Sequence, residues 1–205
     1  SYQIPVIAIE REAEHISSVN TDNYMGALQA TSLLIRDKCD ILIHINVNVN
    51  KSAPAYDRIW AFQATCEEYH VPYDIDLSVK GASYHELLDV IREIFNKIES
   101  KYPDQKKGIF LANDTYANMF LNLIFQKYGT FPSTYEIVGF DNSPIASEAI
   151  LPITTIGQQI DVIAKTAMDL LVQQMEEQKK RVPKPLGEPI HKQITPILIR
   201  RNTTE

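Results

Sequence analysis

The chain has 205 residues, 44% of them hydrophobic, with a formal net charge of −6 and a pI near 5.4. That is enough apolar material for one large packed domain or two small ones, and the acidic balance excludes the basic surface that nucleic-acid binding needs. No apolar run reaches about 18 residues, so no transmembrane helix is expected, and residues 1–5 lack the basic and apolar regions of a signal peptide.

The pattern then alternates strand and helix. Residues 6–9 form an apolar run behind Pro5 and predict a buried parallel strand, with a shorter extended piece at 17–19. A helix is expected from about Asp22, carrying Tyr24, Ala27, Leu28, Leu34 and Ile35 on its apolar face. Residues 41–47 predict a strand and 46–52 a polar loop. The next helix places Tyr56, Ile59, Trp60, Gln63 and Cys66 at helical spacing. Residues 73–79 alternate as a strand does. Ser83-Tyr-His-Glu86 is a capping box that opens an amphipathic helix with Tyr84, Leu87, Leu88, Ile91, Ile94, Phe95 and Ile98 on one face.

After a charged turn at 102–107, a strand is predicted over 108–112 and a helix over 114–128 closed by Gly129. A strand at 136–140, a connection at 144–152 and a short strand at 153–156 lead to a long helix over 159–178. Its inward face reads as Ile160, Ile163, Ala164, Ala167, Leu170 and Leu171. Residues 179–189 are basic and proline-rich, a surface linker, and 194–199 predict the last strand. This alternation specifies an α/β fold with a doubly wound parallel sheet.

Polar groups gather just past the predicted strand ends: Glu10-Arg11, residues 48–58, Asn113-Asp114, Asp141-Asn142 and Gln158. Ligands of open α/β sheets bind beyond the carboxyl ends of strands. Amide and carboxylate groups there can donate to and accept from a hydroxyl-rich small molecule. Arg58 suits vicinal hydroxyls or an anion. Each group has a plainer reading too. Asn113-Asp114 suits a helix N-cap, Asp141-Asn142 a turn, and Arg58 a solvated helix residue. Glu10 and Arg11 suit a polar loop, and Trp60 reads as core rather than as a stacking platform.

Enzyme chemistry finds few candidates. The five histidines lack metal-ligand spacing, and His44 reads as a satisfied core group. There is no G-x-S-x-G elbow, P-loop or G-x-G-x-x-G. Asp114 and Asp141 could pair as carboxylates, but nothing marks either as an acid of raised pKa. No catalytic residue, metal or cofactor is expected. Cys39 and Cys66 read as buried thiols of a reducing compartment.

Seven ordered motifs carry a family resemblance over nearly the whole chain. They are Ile4-Pro-Val-Ile-Ala-Ile9 before an acidic residue, Val19-Asn-Thr-Asp-Asn23 with Gly26, and Ser52-Ala-Pro-Ala-Tyr-Asp-Arg58 with Phe62. Ala112-Asn-Asp114 with Ala117, Ile137-Val-Gly-Phe-Asp141, Leu151-Pro-Ile-Thr-Thr-Ile156 with Gln158, and Arg201-Asn-Thr-Thr204 complete the set. In these the chain resembles the effector-binding region of LacI/GalR-type transcriptional repressors. The resemblance implies a periplasmic-binding-protein-like type I fold, in which a sugar or similar metabolite binds between two similar subdomains and changes the affinity for operator DNA. It carries effector contacts onto Glu10, Arg58, Asn113, Asp141 and Gln158. Glu10 stands where Asp is common, Met119 where Gly is usual, Asn142 where a second Asp is frequent, and residues 38–40 lack the usual Gly-His.

By the same resemblance, residues 21–150 and 193–205 are the C-terminal subdomain. Residues 1–20 and 151–192 are a remnant of the N-terminal one, expected to leave apolar surface exposed for a partner to cover. The DNA-binding domain would lie upstream, outside this chain. The expected protein is a cytoplasmic, homodimeric, effector-sensing repressor with a carbohydrate effector, touching operator DNA only through that domain and no membrane. The alternative is a sugar-binding protein of a transport or chemotaxis system with the same fold.

Overall fold

The computed structural model describes residues 4–11, 13–180, 182 and 186–205. It divides into two compact units, one made of Asn23–Gly157 and Ile197–Glu205, the other of Ser1–Asp22 and Gln158–Pro196.

The larger unit holds strands β3 (Ile41–Val47), β4 (Tyr73–Val79), β5 (Lys107–Leu111), β6 (Tyr135–Asp141), β7 (Thr154–Gly157) and β9 (Ile197–Ile199). They lie in the order β4-β3-β5-β6-β7-β9, all parallel except for β9, which runs antiparallel to β7. Its helices are α1 (Asn23–Arg36), α2 (Tyr56–Glu68), α3 (Tyr84–Lys101), α4 (Asp114–Tyr128) and the short α5 (Pro144–Glu148). Strand side chains alternate between faces, and this sheet is apolar on both. Ile41, Ile43, Ile45, Ile109, Leu111 and Ile137 join one core with Ile91, Ile94, Phe95 and Ile98 of α3 and Phe120 and Ile124 of α4. Leu42, Phe110, Val138 and Phe140 point the other way and join Ala27, Leu34, Phe62 and Cys66 of α1 and α2. Each fully buried large side chain contributes about 1.5–3 kcal/mol, so this double core outweighs any single polar feature.

Local signals set the helix ends. The Ser83 side chain accepts from Glu86 N, the first half of a capping box, while the Glu86 carboxylate reaches one residue further back and accepts from Ala82 N rather than from the N-cap N–H. Gly129 ends α4 at φ 69°, a left-handed conformation that costs glycine nothing.

The chain's end is stitched into the same sheet. Thr203 is fully buried. Its Oγ1 accepts from Thr154 N at 2.9 Å and donates to Ile137 O at 2.7 Å. Its own carbonyl accepts from Ile137 N at 2.9 Å. One side chain thus ties the tail to β6 and β7 together.

The smaller unit has a three-stranded parallel sheet in the order β1-β2-β8, made of β1 (Ile7–Ile9), β2 (Ser17–Thr21) and β8 (His191–Ile194). Helix α6 (Ile160–Lys179) packs on it through Ile163, Ala167 and Leu170 against Val19 and Ile7. This core is small, and Ile4, Val6, Ile9, Ile160, Val162 and Met168 remain exposed.

Several expectations need correction. The single last strand expected over 194–199 is two strands, one in each unit, separated by Thr195-Pro196, because proline has no N–H to continue a ladder. The boundary expected at residue 151 falls later, since β7 pairs with β6 inside the larger unit. Ile160 and Ala164 of α6, and Tyr84 of α3, lie outside their packed faces. Trp60 is not core: it is exposed and meets Tyr24 edge-on at 5.2 Å. Lys107 belongs to β5 rather than to the charged turn. It is buried, with Nζ donating to the carbonyls of Tyr102 and Gln105 and lying over the Tyr135 ring. Within the expected connection at 144–152, Pro144 opens α5. The linker expected at 179–189 falls partly outside the described residues.

Thr203→Val keeps the shape but strands Thr154 N–H and the Ile137 carbonyl in the core. The expected loss is about 1–3 kcal/mol, read as a lower urea midpoint with an unchanged slope.

Candidate functional site

The carboxyl edge of the large sheet gathers the polar groups of the larger unit. Arg58 sits in the first turn of α2, and its guanidinium is fixed on every side. Nε donates to Asn23 Oδ1 at 2.9 Å, Nη1 donates to the Ala112 carbonyl at 2.6 Å, and Nη2 faces Asp141 Oδ1 at 3.8 Å. The guanidinium carbon lies 3.6 Å from the centroid of the Phe140 ring, a cation–π contact that also shields one face from water. The Arg58 side chain is only 16% exposed, while that of Asp141 is 39% exposed. A rigid, largely desolvated donor fork therefore stands beside an accessible carboxylate. That pair can donate to and accept from neighbouring hydroxyls of one small molecule.

Asn113 follows β5 and caps α4, with Oδ1 accepting from Tyr116 N at 2.9 Å. The helix-cap role is therefore real. The amide nitrogen has no hydrogen-bond partner among the described residues and remains able to donate. Asp114, the next residue, is fully buried. Its Oδ1 accepts from Thr155 Oγ1 at 2.6 Å, and its Oδ2 accepts from Ser143 N at 2.8 Å and Ser143 Oγ at 3.2 Å. Burial pushes its carboxyl pKa up, and these donors oppose the shift. Asp114 is thus the brace between β6, β7 and α4, not a second ligand.

Asp141 and Asn142 adopt φ of 102° and 51°. Two consecutive non-glycine residues at positive φ are strained by about 1–3 kcal/mol each and need support. Arg201 supplies it: Nη2 donates to Asn142 Oδ1 at 2.7 Å and Nη1 to the Ile153 carbonyl at 2.9 Å. The tail motif thereby holds the turn that presents Asp141.

The structure brings Arg58, Asn113 and Asp141 together on one edge of one unit. Glu10 and Gln158 belong to the smaller unit. Glu10 follows β1 at φ 52°, and its Oε1 accepts from Thr21 N at 2.6 Å and Thr21 Oγ1 at 2.7 Å, so part of its carboxylate ties the end of β1 to the end of β2. Gln158 directly follows β7.

Sequence reasoning missed Asn23, Asp114 and Arg201 as supports of this edge, although each lies in a quoted motif. It also missed Asn46. His44 is fully buried in β3, its ring stacked on Phe110 at 4.5 Å, with Nδ1 2.8 Å from the Phe110 carbonyl and Nε2 3.2 Å from Asn46 Nδ2. Burial lowers its pKa to about 4, and the Arg58 cation adds to the effect. Cys39 and Cys66 are buried and unbridged, with pKa values pushed up by burial. Among the described residues, no group of three His, Cys, Asp or Glu could hold a metal ion, and no helix is long and apolar enough to cross a membrane.

Comparison with known proteins places the chain in a family. The family model described as a periplasmic binding protein-like domain matches residues 33–204. A ribose operon repressor of Halalkalibacterium halodurans is 27% identical over 201 residues, 98% of this chain and 56% of the relative. A sucrose operon repressor of Streptococcus mutans is 27% identical over 178 residues, 85% of this chain and 52% of the relative. The chain thus spans about half the length of the curated relatives it matches. In fold it is similar to a LacI family transcriptional regulator from Enterococcus faecium solved with bound ribose. The TM-score is 0.75 at 19% identity, covering 98% of this chain and 70% of that one.

Two outcomes test the site's scaffold. A Cβ at Gly139 would fall 2.2 Å from Asp114 Oδ1. Gly139→Ala is expected to dislodge that carboxylate and lower stability by about 1–3 kcal/mol, measured by urea unfolding. For His44, the unfolded chain binds a proton below about 6.5 and the folded one only near 4. Its contribution is full above pH 6.5 and lost as pH falls toward 4. The stability difference between the wild type and His44→Phe should shrink by about 3 kcal/mol across that window.

Proposed function

The chain belongs to the periplasmic binding protein-like domain family, and from that premise we propose that it is the effector-sensing part of a LacI/GalR-type transcriptional repressor. It binds a sugar or sugar-like metabolite without transforming it and passes the bound state to a DNA-binding domain elsewhere in the protein. The observation that carries the proposal is the clamped Arg58 beside Asp141 at the carboxyl edge of the sheet. Sugars present adjacent hydroxyls that each donate and accept, and a fixed guanidinium with a carboxylate matches such a pair. The relatives are named as repressors of ribose and sucrose operons, and a solved neighbour holds ribose. These names favour a pentose or hexose over a charged metabolite, and a regulator over a transport protein.

Within this proposal Arg58, Asp141 and the amide of Asn113 contact the effector directly. Glu10 and Gln158 rest on the family resemblance alone. The protein works in the cytoplasm as a homodimer, because two-fold partners suit palindromic operators. Operator DNA is touched only through the DNA-binding domain, consistent with a net charge of −6 on this chain.

Isothermal titration of the full-length protein with D-ribose, D-xylose, D-fructose and sucrose tests the proposal. One sugar is expected to bind selectively. Arg58→Ala should weaken that binding by about 10- to 100-fold, the worth of a hydrogen bond from a charged group, while the protein stays folded. Unchanged affinity in a folded Arg58→Ala protein would remove Arg58 from the site.

A further inference from the structure

Resting on the sugar-binding reading for its functional consequence, we infer that His44 and Asn46 are positioning residues of the effector site. They fix the exit of β3 and, through it, the turn of α2 that carries Arg58.

The two side chains stand two residues apart on one strand and so on one face of the sheet. They form a relay with a single direction. His44 Nδ1 lies 2.8 Å from the Phe110 carbonyl, which can only accept, so the ring proton sits on Nδ1. Nε2 is then an acceptor, and Asn46 Nδ2 donates to it at 3.2 Å. That orients the Asn46 amide, whose Oδ1 accepts from Val47 N at 2.7 Å. All of this is out of water: His44 is fully buried and Asn46 is 4% exposed. Buried amides with both ends engaged have one orientation, and reversing it would set donor against donor.

The relay ends where the strand must end. Val47 pairs with both Ser78 and Val79 of β4, a bulge at the last residue of β3. Bulges re-aim the chain that leaves the sheet. The connection that follows is short and held mostly by its own bonds, Ser52 N to Asn50 Oδ1 at 3.2 Å and Ala53 N to the Asn50 carbonyl at 2.9 Å. Helix α2 then begins at Tyr56 with no side-chain cap, since Ala55 occupies that position. Its first donors are met by the loop's own backbone, Tyr56 N by the Ala53 carbonyl at 2.9 Å, Asp57 N by Pro54 at 3.1 Å and Arg58 N by Ala55 at 3.4 Å. Loop and first turn thus form one unit, and the strand that precedes it and the Arg58 side chain are what tie that unit to the sheet. The same strand end also meets Arg58 from the other side. Ala112 N donates to the Ile45 carbonyl at 3.0 Å, while the Ala112 carbonyl accepts from Arg58. Asn46 therefore follows the residue that holds the Arg58 acceptor in place.

The bland alternative is that His44 and Asn46 only stabilise the core. The two roles separate by experiment. Asn46→Leu preserves volume and removes both amide groups. His44→Phe preserves the stack on Phe110 and removes both ring nitrogens, and serves if the first variant does not fold. In the full-length protein at neutral pH, amide hydrogen exchange at residues 47–57 should rise about 10-fold or more, with exchange in α3 and α4 unchanged. D-ribose affinity should fall about 10-fold in the same proteins. Exchange that is unchanged at 47–57, or raised equally everywhere, overturns the positioning role. So does wild-type affinity for D-ribose in a folded variant. If the wild type itself binds no D-ribose, the pentose reading fails, and the exchange pattern alone decides the relay.

Discussion

The clamp on Arg58 is the interaction on which the rest of this edge depends. A guanidinium taken out of water is costly unless its donors are matched. Here Asn23, the Ala112 carbonyl, the Phe140 ring and Asp141 surround it. Those partners come from α1, the end of β5 and the end of β6. One side chain on α2 thus requires three other elements to stand at fixed distances. Helix α1 approaches closely only because Gly26 faces Phe140, where a Cβ would come within 2.8 Å of the ring.

Around the clamp lies a second tier of groups that present the first. Asp114 is buried and braces Ser143 and Thr155. Arg201 reaches from the tail to the strained Asn142. Thr203 closes the tail onto β6 and β7. The tail is accordingly part of the site's foundation although it lies 60 residues beyond Asp141 in the sequence (201 minus 141). The strained pair Asp141-Asn142 persists because these bonds over-determine it. The price of the strain is met by the packed double core beneath the sheet.

Much of the architecture was legible because it rests on local signals. Strands β3 and β4 fall where their apolar and alternating runs place them, and α4 spans the stretch between Asn113 and Gly129. Ser83, whose side chain accepts from Glu86 N, marks the start of α3. What was not legible depends on partners distant in sequence. The run at 194–199 looks like one strand, and only the two separate sheets reveal Pro196 as a crossing point. Trp60 has core spacing on its helix but lies outside the buried stripe of Ile59, Phe62 and Cys66. The effector candidates come as a set from the family resemblance, and the structure brings Arg58, Asn113 and Asp141 of that set to one sheet edge. Their supports, Asn23 to Arg58 and His44 to Asn46, are pairings that topology or a buried tautomer creates, and composition is silent on both.

The central claim is that the Arg58–Asp141 edge recognises sugar hydroxyls. The most direct measurement is a crystal structure of the protein grown with D-ribose. The account predicts two adjacent hydroxyls of the sugar within hydrogen-bonding distance of the Arg58 guanidinium and the Asp141 carboxylate, with the Arg58 bonds to Asn23 and the Ala112 carbonyl intact. A bound sugar that touches neither Arg58 nor Asp141 would contradict it.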